Sequence, residues 1–131
     1  SDVCSSDLSE AWFAQNLDDF LTAYDWTVPM AMPLMESVPV AESDAWLARL
    51  VRAVSARPGA LKKTIFELQA KDWTLPQQNA IPDQQLVDWM RTLQLNGVNN
   101  YGYYPDDFLN NQPDISKIRP LFSSYWYPNN D

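Results

Sequence analysis

TIFELQA (Thr64 to Ala70) alternates between polar and apolar character along its length. In an extended chain its residues fall on two sides, with Ile65, Glu67 and Gln69 on one and Phe66, Leu68 and Ala70 on the other. One side is wholly apolar and the other carries polar groups. This pattern predicts a strand that packs on helices with one face and lines a barrel near its mouth with the other.

Two more strands are predicted from the neighbouring sequence. TVPMAMPLM (Thr27 to Met35) is nearly all apolar, which is typical of a strand buried on both faces in a parallel sheet, so its methionines are predicted to be core. Pro29 weakens this prediction because proline cannot donate a hydrogen bond to a neighbouring strand. VNNYGYY (Val98 to Tyr104) forms the third predicted strand, which ends at Pro105.

Amphipathic helices are predicted between and around these strands. Apolar residues recur at helical spacing in four segments, which are Ser9 to Tyr24, Ser43 to Val54, Asp83 to Leu93 and Asp114 to Phe122. Ser43 and Asp83 are predicted N-caps, and Asn96-Gly97 is a typical helix stop. Trp46 and Trp89 lie on the apolar stripes, where packing is their expected role.

Strands that alternate with helices indicate an α/β fold with a parallel sheet. Three strands are too few for a stable sheet of this kind, because its apolar edges would remain unpaired. The sequence therefore predicts the last three or so β/α units of a (β/α)8 TIM-type barrel, incomplete in this chain.

The first eight residues are interpreted as a sequencing artefact. SDVCSSDL (Ser1 to Leu8) is what the end of a common short-read adapter encodes in one reading frame, and a flexible Ser/Asp-rich terminus is the alternative. Residues 9–131 are then the genuine chain, which starts partway through a barrel. Without residues 1–8 the net charge changes from −8 to −6 and no cysteine remains, so thiols indicate nothing about redox compartment.

Composition excludes several classes of function. Nine Lys and Arg against 17 Asp and Glu, with no basic run, disfavour a nucleic-acid ligand. The absence of His excludes a Ser-His-Asp triad and an imidazole metal site. No apolar stretch approaches the length of about 20 residues that a transmembrane segment needs.

Polar and aromatic residues follow each predicted strand, where a barrel of this type has its working face. They are Met35 and Glu36, then Lys71, Asp72 and Trp73, then Tyr103, Tyr104, Asp106 and Asp107. Aromatic rings beside carboxylates suit a sugar polymer, because a pyranose face packs on a ring while carboxylates accept hydrogen bonds from hydroxyl or ammonium groups. Packing remains the alternative for Trp73, a helix-start contact for Trp12, and capping of the next turn for Asp106-Asp107.

Four segments together resemble one known family. They are AWFAQNLDDFLTAYDW (Ala11 to Trp26), MAMPLM (Met30 to Met35), FELQAKDW (Phe66 to Trp73) and LQLNGVNNYGYYPDDFLNNQPDISKIRPLFSSYWYPNND (Leu93 to Asp131). They are similar to the carboxyl-terminal end of the PgaB family of bacterial poly-β-1,6-N-acetyl-D-glucosamine N-deacetylases. In that family a metal-dependent deacetylase domain precedes a glycoside-hydrolase-like (β/α)8 barrel. The barrel binds, and in some members cleaves, the partly deacetylated biofilm polysaccharide.

The resemblance implies specific roles for this chain. Trp12 and Trp73 match the family's substrate-stacking tryptophans, and Asp72, Glu36, Tyr103 and Asp106 are the remaining candidate substrate-binding residues. Pro29 and Leu34 depart from the family's usual residues, so the mouth of the first strand is expected to differ in detail.

The glycosidase acid lies upstream, so no catalytic residue, metal or cofactor is expected here, and the divalent metal belongs to the deacetylase domain. The implied partners are poly-β-1,6-N-acetyl-D-glucosamine, its deacetylated form, and the parent's upstream barrel and deacetylase domain.

The implied location is the periplasm, with attachment to the outer membrane through the parent's missing N-terminus. Two alternative functions remain at this stage. One is a stand-alone, non-catalytic carbohydrate-binding module. The other is a structural or protein-interaction segment that docks through Tyr125-Trp126-Tyr127.

Overall fold

The computed structural model of the chain describes residues 22–74, 76 and 79–122. It contains helices α1 (Val40–Ser55), α2 (Asp83–Leu95) and α3 (Ile115–Phe122), strands β1 (Phe66–Gln69), β2 (Lys71–Asp72), β3 (Asn79–Ala80) and β4 (Tyr101–Tyr104), and 3-10 helices at Pro33–Glu36 and Ala60–Lys63. The predicted mixture of helices and strands is confirmed. Trp12, most of the helix predicted from Ser9, and the tail after Phe122 lie outside the described residues, and the interpretation of residues 1–8 stays a prediction.

Three parallel segments lie side by side in chain order. β1 pairs with β4 in a parallel register that aligns Phe66 with Tyr101 and Gln69 with Tyr104. On the other side of β1, parallel bridges join Thr27 to Thr64 and Met30 to Glu67. We call these three segments, residues 27–31, β1 and β4, the parallel sheet.

The strand predicted from Thr27 to Met35 is shorter than expected and is interrupted at Pro29. The Pro29 carbonyl accepts a hydrogen bond from the Glu67 N–H (3.1 Å), but Pro29 has no N–H to donate in return. The ladder resumes where the Ala31 N–H donates to the Glu67 carbonyl at 2.8 Å. The chain then turns into the 3-10 helix Pro33–Glu36.

The core lies on one face of the parallel sheet. Phe66, Leu68 and Ala70 are buried there with the apolar stripes of α1 and α2, so the predicted alternation of β1 is confirmed. Trp46 and Trp89 are buried within the same cluster, which confirms their packing role. Both helices were expected at these positions, but α1 begins at Val40 rather than at a Ser43 cap.

Within the described part of the chain, the opposite face of the parallel sheet is largely open, except at Gln69, which is buried at the end of β1. Met30 is aligned with Glu67 on this face and is 65% exposed. The core prediction is therefore wrong for Met30 and also for Met35, which is exposed, whereas Met32 is buried. The sequence could not distinguish the exposed Met30 and Met35 from the buried Met32, because all three belong to one continuous apolar run.

Gly97 ends α2 with a φ of +92°, as its position after Asn96 predicted. We expect Gly97→Ala to lower the free energy of unfolding by about 1–2 kcal/mol, because a Cβ in this conformation clashes with its own backbone. Gly102→Ala is the matched control, since Gly102 has no positive φ and an added Cβ meets nothing within 4 Å. Urea unfolding of the two variants measures the difference, and equal losses would contradict this explanation.

Candidate functional site

The carboxyl ends of the three parallel segments lie at the same end of the parallel sheet, which we call the mouth. The Ala70 N–H donates to the Tyr104 carbonyl at 2.8 Å, which joins the ends of β1 and β4. The Leu34 N–H donates to Oε1 of Gln69 at 2.9 Å, which ties the 3-10 helix Pro33–Glu36 to the end of β1. The segments that carry the predicted site residues Glu36, Asp72 and Asp106 therefore follow neighbouring strand ends.

Trp73 and Tyr104 form an aromatic pair at the mouth. Their rings are stacked, with centroids 6.1 Å apart and planes inclined by 24°. Trp73 is half-buried and Tyr104 is 58% exposed, so part of this apolar surface is open to solvent. Such a surface has the chemistry to pack against the apolar face of a pyranose ring.

Tyr103, the predicted site tyrosine, lies on the other face of β4. It is aligned with the buried Leu68, and its ring centroid is 5.9 Å from that of Phe122. Both tyrosines follow the third predicted strand in sequence, and Tyr103 rather than Tyr104 was the predicted site residue. The period-2 alternation of β4, counted from Tyr101 on the helix side, could have identified Tyr104 as the residue on the open face.

The Tyr103 hydroxyl donates a hydrogen bond to Oδ1 of Asp106 at 3.2 Å. Burial raises the pKa of Tyr103, and the negative charge and hydrogen bond of Asp106 raise it further. The observed hydrogen-bond partner of Asp106 is therefore the phenol of Tyr103, which lies three residues earlier in β4. Asp106 is exposed, so it also faces solvent beside the mouth.

We expect Asp106→Asn to shift ionisation of Tyr103 to lower pH, measured by tyrosinate absorbance during alkaline titration. The folded state holds this proton more tightly than the unfolded chain does. The contribution of Tyr103 to stability is therefore fully present below about pH 10 and is lost as pH rises through its raised pKa. Tyr103→Phe identifies the signal. Tyr101, whose pKa is raised mainly by burial, is the internal control. An unchanged Tyr103 titration in Asp106→Asn would contradict the coupling.

Asp72 lies in a small hairpin rather than in the predicted loop from Lys71 to Pro82. β2 pairs antiparallel with β3, with Asp72 aligned to Asn79. Oδ1 of Asp72 accepts hydrogen bonds from the Thr74 N–H (3.0 Å) and from the Thr74 hydroxyl. These hydrogen bonds fix the orientation of the Asp72 carboxylate, and Asp72 directly precedes Trp73 in sequence.

Asp107 closes the loop that follows β4. Its carboxylate accepts hydrogen bonds from the Asn110 backbone N–H (3.3 Å) and from the Asn110 side-chain amide (2.8 Å). These hydrogen bonds lower the pKa of Asp107. The capping alternative is therefore the observed role of Asp107, whereas Asp106 contacts Tyr103.

Within residues 22–74, 76 and 79–122, no group of three or more His, Cys, Asp or Glu side chains is arranged to hold a metal ion. No helix in the same part of the chain has the length and apolar character required to cross a membrane.

Known proteins similar to this chain are a glycoside hydrolase domain and polysaccharide deacetylases. The chain is 57% identical, over 124 residues, to poly-beta-1,6-N-acetyl-D-glucosamine N-deacetylase of Escherichia coli K12 and equally to that of Escherichia coli O157:H7. The match covers 94% of this chain and 18% of each relative, so the chain spans about a fifth of their length.

A solved structure gives the same relationship. The PgaB (BpsB) glycoside hydrolase domain from Bordetella bronchiseptica superposes with a TM-score of 0.72 and 45% sequence identity, covering 80% of this chain and 28% of that domain structure. The resemblance to the PgaB family is thereby confirmed. The model of hypothetical glycosyl hydrolase family 13 matches residues 2–104, and this chain belongs to that family.

Proposed function

We propose that this chain forms part of a binding site for partly deacetylated poly-β-1,6-N-acetyl-D-glucosamine. The observation that carries the proposal is the stacked pair of Trp73 and Tyr104 at the carboxyl ends of parallel strands. The exposed Tyr104 ring and the adjacent Trp73 indole offer a flat apolar surface to one or two sugar units. The Escherichia coli relatives are deacetylases of this polymer, and the aromatic pair offers a surface on which it could pack.

Carboxylates on the segments that follow the strand ends would give this site a preference for the deacetylated form. Glu36, Asp72 and Asp106 belong to the three segments that follow the strand ends, and the whole chain has a net charge of −8. Removal of an acetyl group exposes an amine that is protonated at neutral pH. A negative mouth attracts this cation and accepts its hydrogen bonds.

The open face of the parallel sheet supports the proposal that further strands complete a (β/α)8 barrel. Met30 and Tyr104 are more than half exposed on this face, and Val28 is also exposed. In a closed barrel such a face is covered by the remaining strands. The complete site, including any glycosidase acid, would then contain residues that this chain does not supply.

Processing of the polymer for export, and cleavage where it occurs, would belong to the complete protein. A divalent metal would act in its deacetylase domain, and none is assigned to this chain. The periplasm and the outer membrane are the proposed location, by analogy with the family.

The test is binding of β-1,6-linked glucosamine oligomers, with calorimetry as the readout. Two proteins are compared: the 131-residue chain, and a chimera in which the 124 matching residues of this chain replace the corresponding segment of the Escherichia coli K12 relative. We expect the chimera to bind a partly deacetylated oligomer more tightly than its fully acetylated counterpart, with the difference reduced by salt. Absence of binding in the chimera, with retained binding in the unmodified relative, would overturn the proposal.

A further inference from the structure

Gln69 is a polar side chain that is fully buried at the end of β1, with an exposed fraction of 0%. Its Oε1 accepts the hydrogen bond from the Leu34 N–H at 2.9 Å. Its Nε2 donates a hydrogen bond to the Lys71 carbonyl at 2.8 Å. One amide therefore joins the 3-10 helix Pro33–Glu36 to the junction between β1 and β2.

An amide in this position is not explained by burial alone. A side chain such as Met would fill a similar volume without the cost of removing a polar group from water. Gln69 offsets that cost only because both ends of its amide have partners. Its Oε1 is bonded to Leu34, 35 residues away in sequence, and its Nε2 to Lys71, two residues away. The amide therefore fixes two loops relative to each other, in addition to filling space.

The two loops carry candidate binding residues. Glu36 is the last residue of the 3-10 helix, and Asp72 and Trp73 directly follow Lys71, whose carbonyl accepts the second hydrogen bond. We propose that Gln69 is a positioning residue for the sugar site, which holds the Glu36 turn at a fixed separation from the Asp72-Trp73 segment. This inference rests on the proposed function and deepens it.

Two substitutions separate the effect of the Gln69 hydrogen bonds from the effect of its side-chain volume. Gln69→Met removes both bonds and leaves the Leu34 N–H and the Lys71 carbonyl without this partner. Gln69→Glu depends on pH. When ionised, its carboxylate still accepts from Leu34 but places a second acceptor against the Lys71 carbonyl. When protonated, it accepts from Leu34 and donates to Lys71, which reproduces both bonds of the amide.

We expect Gln69→Met to weaken oligomer binding by the chimera about tenfold at every pH. Gln69→Glu should bind weakly at pH 8 and recover toward the wild-type affinity as pH falls to about 5, because burial raises the pKa of the introduced carboxyl above its usual value. Titratable groups on the surrounding elements are Glu36, Glu67, Lys71, Asp72 and Tyr104. They are present in all three proteins, so affinities are compared with the wild type at each pH.

Thr64→Val is the matched control for loss of a buried hydrogen bond. Thr64 lies two residues before β1, at the end of the strand away from the mouth. Its hydroxyl is buried and donates a hydrogen bond to the Ala60 carbonyl at 2.8 Å. The substitution keeps the shape of the side chain and should lower stability without changing the affinity for oligomers. Equal weakening by Thr64→Val and Gln69→Met would show a general loss of structure and would overturn the positioning role.

Amide hydrogen exchange of Leu34 in the 131-residue chain tests the same inference without a sugar ligand. We expect its protection to be lost in Gln69→Met and kept in Gln69→Glu, whose carboxylate still accepts from Leu34. Unchanged protection in Gln69→Met, or a Gln69→Glu affinity that follows the wild type at all pH values, would overturn the inference. If exchange behaves as expected but the wild-type chimera binds no oligomer, the proposed function fails and the link between the two loops stands.

Discussion

Trp73→Ala is expected to weaken binding of β-1,6-linked glucosamine oligomers by about 5- to 150-fold. This range corresponds to a loss of about 1–3 kcal/mol, taken from the stacking of flat rings on aromatic side chains. The indole is half of the stacked pair with Tyr104, so its removal eliminates a sugar-facing surface and also leaves the Tyr104 ring without its support. Calorimetric titration of the chimera measures the effect.

Trp26→Ala provides the matched control for this prediction. Trp26 is 52% exposed and directly precedes Thr27, at the opposite end of the parallel segments from the mouth. Its removal deletes a similar aromatic area but should leave oligomer affinity within about twofold of the wild type. If the two tryptophan variants bind equally well, Trp73 is not part of the sugar site.

Trp89→Ala is expected to lower the free energy of unfolding by about 3–5 kcal/mol, which is the usual cost of removing a large aromatic from a core. Trp89 is 0% exposed on α2, and its Nε1 donates a hydrogen bond to the Ser43 hydroxyl of α1 at 2.8 Å. The Ser43 hydroxyl in turn donates to the Val40 carbonyl at 2.6 Å. Urea unfolding followed by far-ultraviolet circular dichroism measures the loss.

Ser43→Ala separates the hydrogen bond from the packing of the ring. It leaves the indole in place but removes the acceptor of a buried N–H, for which we expect a loss of about 1–3 kcal/mol. Trp73→Ala, at a position that is only partly buried, should cost less than Trp89→Ala in the same assay. A loss of under 1 kcal/mol for Trp89→Ala would contradict the role of this link between α1 and α2.

The regular elements could be predicted because their signals are local. The alternation around Phe66 and Leu68 identified β1 and its buried face, and Gly97 marked the end of α2. The burial of Trp46 and Trp89 also followed from helical spacing alone. Each of these inferences depends only on residues that are close together in sequence, within a few helical turns or within a single strand.

The site was less predictable because its arrangement depends on contacts between distant segments. Ser43 resembled an N-cap, yet its hydroxyl serves Trp89, which lies 46 residues away in sequence. Gln69 appeared to be an ordinary polar residue on a barrel wall, since its partner Leu34 is identified only by the fold. Tyr103 and Tyr104 are adjacent, and only the register with β1 assigns one to each face.

The order of the parallel sheet has a consequence for how the chain folds. Each of the three parallel segments pairs with the next parallel segment along the sequence, and the aligned residues are about 35 positions apart. The entropy cost of closing a loop of this length is only slightly larger than that of closing a shorter one. Pairing of two neighbouring segments also requires no residues from the far end of the chain. During synthesis, residues 27–31, β1 and β4 can therefore associate in the order in which they leave the ribosome, each new β/α unit using the preceding one as its template.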